Sequence, residues 1–205
     1  MDRGCFITFE GIDGCGKSTQ IGLLTGYLEE RGIDYLLLRE PGGTVIGENI
    51  RTILLDKKNS GMTDMTELLL FEAARAQIVS EVIRPAVESG KVVICDRFFD
   101  STAAYQGYAK NMGQDVVETL NQLATGGFYP DITFLLDITP EQAMERRAAR
   151  GEEDRIEKLG MEFQKKVRDG YLAIASESSR IVKIDGARTP EDTFSEILGY
   201  LEEMI

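Results

Sequence analysis

The sequence contains no histidine. This absence excludes a Ser-His-Asp triad, a Cys-His nucleophile pair and every metal site that has a histidine ligand. Any chemistry in this protein must therefore use carboxylates, arginine, lysine and backbone amides.

Cysteines and long apolar runs are also scarce. The three cysteines, Cys5, Cys15 and Cys95, are odd in number and form no C-x-x-C pair, so they are interpreted as structural thiols rather than as disulfides or zinc ligands. No segment approaches the roughly 18 to 20 apolar residues of a membrane span, and the start MDRGCFITFE lacks the apolar stretch of a secretory signal. We expect a soluble, cytoplasmic protein with no membrane partner.

Positive charge is in the minority. The chain has 23 Lys and Arg against 35 Asp and Glu, a formal net charge of -12, and no basic tail. Nucleic-acid binding depends on neutralising many phosphates, so we expect no nucleic-acid partner. Small phosphorylated ligands are not excluded, because screening limits charge effects to about 8 Å at physiological salt.

Apolar runs alternate with segments of helical spacing along the chain. With 205 residues, 42% of them hydrophobic, we expect a single domain over residues 1–205. Five near-continuous apolar runs are typical of strands buried on both faces: CFITFE, YLLLRE, VVICD, ITFLLD and IVKID. Helical patterns separate them, including a long one from about Thr63 to Glu88. This order predicts an α/β fold, a five-stranded parallel sheet flanked by helices in three α/β/α layers.

A carboxylate ends each of the five predicted strands. These residues are Glu10, Glu40, Asp96, Asp137 and Asp185. Because ligands of open parallel sheets bind beyond the carboxyl ends of the strands, we expect the functional site at this edge.

The first strand is followed by GIDGCGKS, which fits the phosphate-loop pattern G-x-x-x-x-G-K-S at every fixed position and leads into a helix. In such loops backbone N–H groups and the helix N-terminus face phosphate oxygens. Lys17 is predicted to reach the β and γ phosphates as a catalytic residue, and Ser18 to offer its hydroxyl to Mg²⁺. The predicted ATP-binding residues here are Gly11, Ile12, Asp13, Gly14, Cys15, Gly16, Lys17, Ser18 and Thr19.

The loop alone leaves a GTPase switch, an ATPase and a small-molecule kinase open. A guanine-specifying N-K-x-D is absent, and no later apolar run ends in the Asp-Glu pair of many hydrolytic ATPases. These absences favour a kinase with the P-loop kinase fold.

Four further segments carry a resemblance to a known family. REPGGT, LLLFEAAR, DRFFDSTAAYQG and the arginine-rich RRAARGEEDRI resemble, in order and spacing, thymidylate kinases over essentially the whole chain. The resemblance implies transfer of the γ-phosphoryl group of ATP to thymidine 5′-monophosphate (dTMP), with Mg²⁺ as cofactor. It also implies a homodimer, formed through apolar helices around Leu68 to Val87 and neighbouring segments.

Phe71 and Arg75 lie four residues apart and would share one face of a helix. Taken alone, the first would be core packing and the second a surface charge. The resemblance implies instead that Phe71 stacks on thymine and that Arg75 holds the edge of the base.

Asp96 and Arg97 follow a predicted strand and so lie at its ligand edge. Asp96 is a candidate for the Mg²⁺ shell opposite Ser18, and Arg97 for binding the acceptor phosphate as a catalytic residue. Without the other motifs, a structural ion pair would be an equally good interpretation of a strand-terminal Asp-Arg.

Three residues of the same segment fit a base and sugar pocket. Gln106 can present a donor and an acceptor to the thymine edge, Thr102 can add a hydrogen bond, and Tyr105 can press against the sugar where a 2′-hydroxyl would clash.

Three other residues are assigned to dTMP by resemblance. Asp13, although inside the phosphate loop, faces the acceptor and accepts from the 3′-hydroxyl. Glu40 helps the same hydroxyl or a magnesium-bound water. Arg51 either contacts the acceptor phosphate or is a solvated helical arginine.

Gly14 marks a departure from one branch of the family, which carries an arginine immediately after the loop aspartate. The other branch supplies the charge from a mobile lid, and RRAARGEEDRI lies where that lid belongs, at about residues 146–157. Arg147, Arg150 and Arg155 are therefore the lid candidates, with Arg147 assigned to ATP and the other two to catalysis. Arg146 is assigned to the surface.

Two alternatives stay open on the sequence. One is a related P-loop kinase with a different nucleotide or nucleoside acceptor. The other is a nucleotide-binding switch or scaffold without an acceptor. The acceptor preference tests the first alternative. ATP hydrolysis that dTMP does not affect, with no diphosphate formed, would favour the second.

Overall fold

The computed structural model describes residues 3–148, 155–156, 159–202 and 204–205, and its centre is a parallel sheet of five strands. The strands are β1 Phe6–Glu10, β2 Tyr35–Arg39, β3 Val92–Asp96, β4 Ile132–Asp137 and β5 Ile181–Asp185. Their order in the sheet is β2-β3-β1-β4-β5. The predicted strands and the predicted α/β fold are confirmed.

Burial on both faces holds for the central strands but not for the two outermost ones. β1 is buried throughout, whereas β2 and β5 have only partly buried or exposed residues at most positions, with Leu37 48% exposed. An edge strand has a neighbour on one side only, so helices and strands cover less of its surface. The expectation that all five strands are fully buried is wrong for β2 and β5.

Helices connect the strands. They are α1 Lys17–Glu30, α2 Val45–Leu55, α3 Asp64–Ile78, α4 Arg84–Glu88, α5 Phe99–Thr102, α6 Gln114–Thr125, α7 Pro140–Arg147, α8 Met161–Glu177 and α9 Pro190–Leu201. Threonine caps four of them, because the side chains of Thr44, Thr63, Thr139 and Thr189 accept hydrogen bonds from the first turn of α2, α3, α7 and α9.

Two π-helical segments interrupt the helical regions. The long predicted helix begins after Thr63 and continues through a π segment, Val79–Ile83, into α4. A second π segment, Ala103–Ala109, follows α5 directly and carries Tyr105 and Gln106. Such segments are frequent at functional sites.

Two apolar clusters lie on opposite faces of the sheet. Ile7 packs with residues of α1, α8 and α9, whereas its neighbour Phe6 packs with residues of α3 and α4. Successive residues of a strand point to opposite faces, so these clusters give the three layers that the sequence predicts. Within the described ranges, no helix is both long and apolar enough to cross a membrane.

Candidate active site

The phosphate loop curls around the ammonium group of Lys17. Lys17 Nζ donates to the carbonyl oxygens of Gly11, at 3.1 Å, and Ile12, at 3.4 Å. Gly16, with φ 108°, precedes α1 and has no side chain that could cap it. The first N–H groups of α1 therefore stay available to an anion, and the buried lysine lies beside them.

Gly14 has no room for a side chain. Its φ is 92°, and a Cβ atom there would lie 2.7 Å from Ala143 O and 3.1 Å from Arg147 Cγ. Helix α7 thus packs directly on the loop, so the arginine that one branch of the family has at this position could not be accommodated without displacing α7.

Arg147 occupies the space next to Gly14. Its Nε and Nη1 atoms are buried and have no hydrogen-bond partner among the described residues. Burial raises the pKa of Asp13, but the charges of Arg97, Lys17 and Arg147 outweigh it and lower that pKa to about 2. The charge of Arg147 therefore reaches the phosphate loop, although its position lies on α7.

A main cavity beside the loop brings together all of the predicted dTMP and metal residues and five of the ten predicted ATP residues. The predicted residues that line it are Asp13, Gly14, Gly16, Lys17, Ser18, Glu40, Arg51, Phe71, Arg75, Asp96, Arg97, Thr102, Tyr105 and Gln106. Donor-side and acceptor-side residues, which are far apart in the sequence, thus share one enclosure at the carboxyl edge of the sheet.

A second cavity lies on the other side of the phosphate loop. Gly14, Cys15, Gly16 and Thr19 line it together with Arg146, Gly186 and Arg188. Arg146 Nη1 donates to Gly186 O at 3.0 Å and to Cys15 O at 3.4 Å.

Sequence reasoning assigned Arg146 to the surface, and its side chain is exposed, but it also lines this second cavity. Its spacing from Ala143 was the available signal, because residues three apart on a helix share a face and Ala143 is buried against the loop.

Arg97 connects the two sides of the main cavity. Its Nη2 atom lies 2.6 Å from Asp13 Oδ1, and its Nη1 atom donates to Ser101 Oγ and Tyr171 OH, each at 3.1 Å. Its backbone φ angle is 72°, a value that is rare for residues other than glycine. Residues with such strained backbone angles cluster at functional sites. Contacts within the protein therefore hold this guanidinium in place.

Glu10 holds the partners of Arg97, a role that sequence reasoning missed. Its Oε2 atom accepts from Ser101 Oγ at 2.6 Å and from Tyr171 OH at 2.8 Å, and its Oε1 atom accepts from Phe98 N at 2.7 Å. Burial, followed by repulsion from Asp100, raises the pKa of this carboxyl above its ordinary value.

Arg75 is buried within a cluster of acceptors. Its Nε atom donates to Glu40 Oε2 at 2.9 Å, and its Nη1 atom donates to Glu72 Oε1 at 2.6 Å and to Asn121 Oδ1 at 3.0 Å. Its Nη2 atom lies 2.8 Å from Glu40 Oε2. An arginine has five N–H groups, so this cluster leaves one on Nη2 for the cavity, which Phe71 also lines.

Glu40 keeps one oxygen without a partner. Its Oε1 atom is buried and has no hydrogen bond within the described residues. Burial raises the pKa of this carboxyl to about 7 against the opposing effect of Arg75. The predicted ligand residue Arg51 lies nearby and donates to Pro41 O at 3.0 Å.

Thr102, Tyr105 and Gln106 are buried and line the main cavity. Tyr105 OH donates to Asp13 Oδ2 at 3.5 Å, and Gln106 Nε2 donates to Glu67 Oε1 at 2.7 Å. The π segment brings Tyr105 and Gln106, which are adjacent in sequence, to the same cavity.

The residues assigned to Mg²⁺ fit that ion. Asp96 Oδ1 is buried without a partner in the described part of the chain, and Asp96 and Ser18 line the same cavity. The described residues contain no group of three or more acidic or cysteine side chains that could hold a metal. Mg²⁺ commonly uses one or two protein oxygens and completes its shell with water and phosphate, so the pair suffices.

Two lid candidates remain. Arg155 Nε donates to Leu54 O at 2.9 Å, and Arg155 Nη2 donates to Glu67, so this guanidinium lies on the acceptor side of the main cavity. Arg150, like most of the segment at residues 146–157 after position 148, lies outside the described residues.

A phosphate loop that shares its cavity with aromatic and cationic side chains is the arrangement of a phosphotransferase, and with this sheet it defines a P-loop kinase. The family model "Thymidylate kinase" matches residues 9–197. The chain belongs to the thymidylate kinase family.

Curated relatives agree with this assignment over nearly their full lengths. A thymidylate kinase of Thermosipho melanesiensis is 52% identical over 200 residues, which is 98% of both chains. Thymidylate kinases of Fervidobacterium nodosum and Thermoanaerobacter sp. (strain X514) are 51% and 48% identical over 94% and 99% of this chain and over 96% and 100% of their own.

Proposed function

We propose that this protein transfers the γ-phosphoryl group of ATP to dTMP and forms the diphosphate that thymidine triphosphate synthesis requires. The observation that carries the proposal is the main cavity, which Lys17 and Ser18 line on one side and Phe71, Arg75 and Arg97 on the other. A kinase needs donor and acceptor phosphates side by side, and one shared enclosure supplies that.

On the donor side, the phosphates of ATP lie along the loop from Gly11 to Ser18. Lys17 exchanges the carbonyl oxygens that it now contacts for the β and γ phosphates. The adenosine extends into the second cavity, where Arg146 provides a planar cation next to the loop.

Mg²⁺ is held by the hydroxyl of Ser18 and, directly or through water, by Asp96. The unpartnered Oδ1 atom of Asp96 supports this assignment. Ser18 and Asp96 would hold the ion where its positive charge would offset the charge that develops on the transferred group.

On the acceptor side, Arg97 binds the phosphate of dTMP, and Arg51 lies close enough to the same cavity to assist. Asp13 accepts from the 3′-hydroxyl, and the free Oε1 atom of Glu40 serves that hydroxyl or a magnesium-bound water. Tyr105 packs against the sugar.

The base binds between the face of Phe71 and the edge groups of three residues. The N–H group left on Arg75 Nη2 donates to a carbonyl oxygen of thymine, Gln106 meets the Watson–Crick edge, and Thr102 adds a hydrogen bond. Stacking on an aromatic ring supplies apolar contact without selecting the base, so selection is assigned to the polar groups.

The reaction needs no general base, because the acceptor phosphate is itself the nucleophile. The protein aligns the two phosphates, excludes water and offsets charge on the moving group. Arg147 takes over the charge that an arginine at position 14 would supply. Its Cγ atom packs beside Gly14, and its charge acts on Asp13 in the same loop.

The lid at about residues 146–157 adds Arg150 and Arg155 when it closes. To reach the phosphates, Arg155 has to leave Leu54 O and Glu67, its present partners.

We also infer a homodimer. Large apolar side chains are exposed on α2 and α3, which pack against each other; they are Val45, Ile46, Ile53, Met65 and Leu69. Exposed apolar surface of this kind marks a protein contact. Sedimentation equilibrium at micromolar concentration tests the dimer, and a mass of one chain would contradict it.

A cytoplasmic location is also proposed. It fits the three buried, free cysteines and the need for ATP.

Product analysis tests the transfer itself. With ATP labelled at the γ position, dTMP and Mg²⁺, label should move into thymidine diphosphate in equal amount to the ADP formed. Release of the label as inorganic phosphate at a rate independent of dTMP would favour the nucleotide-switch alternative instead.

A further inference from the structure

Glu67 has no role in the assignments above, yet it accepts a hydrogen bond from Gln106, which lines the main cavity. It precedes Phe71 by four residues on α3, so the two share a helix face. Its side chain is only 1% exposed. A carboxylate is rarely buried so completely unless several donors surround it.

Three donors surround this carboxylate. Oε1 accepts from Gln106 Nε2 and from Lys110 Nζ, each at 2.7 Å, and Oε2 accepts from Arg155 Nη2. Lys110 also donates to Asp64 at 2.8 Å. Burial raises the pKa of Glu67, but the hydrogen bonds from Lys110, Arg155 and Gln106 outweigh burial and leave the pKa below its ordinary value. At neutral pH the group is therefore an ionised carboxylate.

An ionised carboxylate accepts hydrogen bonds but cannot donate them. The amide of Gln106 can consequently present only its NH₂ group to Glu67. Its carbonyl oxygen is left over, Gln106 lines the main cavity, and no described residue donates to that oxygen. Glu67 thus decides which end of the amide is offered to a ligand.

We propose that Glu67 is a specificity-determining positioning residue, which fixes the Gln106 amide so that the pocket reads a proton at N3 of the pyrimidine. Thymine and uracil carry a donor at N3, whereas neutral cytosine carries an acceptor there. A carbonyl oxygen aimed at N3 hydrogen-bonds with the first two bases and repels the third. The inference rests on the proposed function, because it concerns the same base pocket.

The test compares kcat/KM for dTMP, deoxyuridylate and deoxycytidylate. In Glu67→Gln the new amide can donate as well as accept, so Gln106 can rotate. The ratio of dTMP to deoxycytidylate should fall at least about tenfold, since a pocket built around a hydrogen bond discriminates strongly only while its partner is fixed. The ratio of dTMP to deoxyuridylate should stay within about twofold, because both bases carry the N3 proton.

Lys110→Met is the matched control. It removes another partner of Glu67 but leaves the carboxylate and Gln106 in place, so both ratios should stay within about twofold of the parent. If Glu67→Gln does not fold, the double variant with Lys110→Met replaces it in the same comparison, because the cation that needs neutralising is then removed too.

A purely structural role for Glu67 predicts a different pattern. It would lower stability or activity with every acceptor and leave the dTMP to deoxycytidylate ratio unchanged, which would overturn the proposal. Gln106→Met should lower that ratio, and adding Glu67→Gln to it should lower the ratio no further. Independent, additive losses would also overturn it. Failure of the parent protein to phosphorylate dTMP would instead contradict the proposed function.

Discussion

Arg97 Nη2 lies 2.6 Å from Asp13 Oδ1, so the arginine after β3 is bonded to a residue of the phosphate loop. The bond joins the proposed acceptor side to the proposed donor side through two charged groups that are both fixed by other residues. Arg97 in turn is held by Ser101 and Tyr171, which Glu10 anchors. The position of the acceptor phosphate relative to the loop is thereby built into the fold.

Replacing Arg97 by lysine should lower kcat/KM for dTMP by about 10² or more. Lysine keeps the positive charge, but it has a single ammonium group. It cannot hydrogen-bond to Asp13, Ser101 and a phosphate together, as the planar guanidinium group can. Steady-state kinetics with varied dTMP measures the effect. Arg84→Lys is the control, because Arg84 packs over the Phe128 ring away from both cavities. Equal effects of the two substitutions would contradict the role of Arg97.

Gly14→Ala should raise the KM for ATP and lower the free energy of unfolding by at least about 1 kcal/mol. The positive φ of Gly14 is unfavourable for a residue with a Cβ atom, and that atom would collide with Ala143 O. The matched control is Gly26→Ala in α1, where a Cβ atom meets nothing within 4 Å. That change should stabilise by about 0.5 to 1 kcal/mol. Urea unfolding and the KM for ATP distinguish them, and similar results for both variants would refute the packing argument.

Arg147→Ala should lower kcat by about 10-fold to 10³-fold while the KM for dTMP changes little. The side chain of Arg147 packs beside Gly14 of the loop on which ATP is proposed to bind, and its Nε and Nη1 atoms have no hydrogen-bond partner among the described residues. Arginines that offset transition-state charge make contributions of this order or larger. Arg150→Ala and Arg155→Ala should likewise reduce turnover more than dTMP binding.

The control for these lid substitutions is Arg31→Ala, since Arg31 is exposed and contacts Tyr27 at the far end of α1. Near-normal turnover of the Arg147, Arg150 and Arg155 variants would remove the proposal that these arginines supply the charge missing at position 14.

Asp13 should stabilise the folded state only where it is ionised. Because its pKa is lowered to about 2, the folded state holds fewer protons than the unfolded state between pH 4 and pH 2. The contribution is fully present above pH 4 and is lost as the pH falls toward 2. Relative to Asp13→Asn, the parent should be more stable by about 1 to 2 kcal/mol at pH 6, after a discount for partial exposure, and the difference should shrink by pH 3. Denaturant unfolding at several pH values measures it, and a constant difference would contradict the ion pair with Arg97.

The sequence allowed the strands, the phosphate loop and the pairing of Phe71 with Arg75 on one helix face to be predicted, because each depends on local spacing. The supporting contacts depend on residues that meet only in the folded chain. Tyr171 is 74 residues from Arg97, and Glu67 is 39 residues from Gln106. No local pattern connects these pairs. The lack of room for a side chain at Gly14 likewise arises from the packing of α7. The exposure of β2 and β5 arises from their positions at the edges of the sheet.

The most direct test of the central claim is an acceptor panel with ATP and Mg²⁺, in which ADP formation is measured with dTMP, deoxyuridylate, uridylate, adenylate and thymidine. The account predicts the highest kcat/KM for dTMP, with uridylate and adenylate poor acceptors and thymidine inactive because it lacks the phosphate that Arg97 binds. A preference for deoxyuridylate, uridylate, adenylate or thymidine over dTMP would contradict the account.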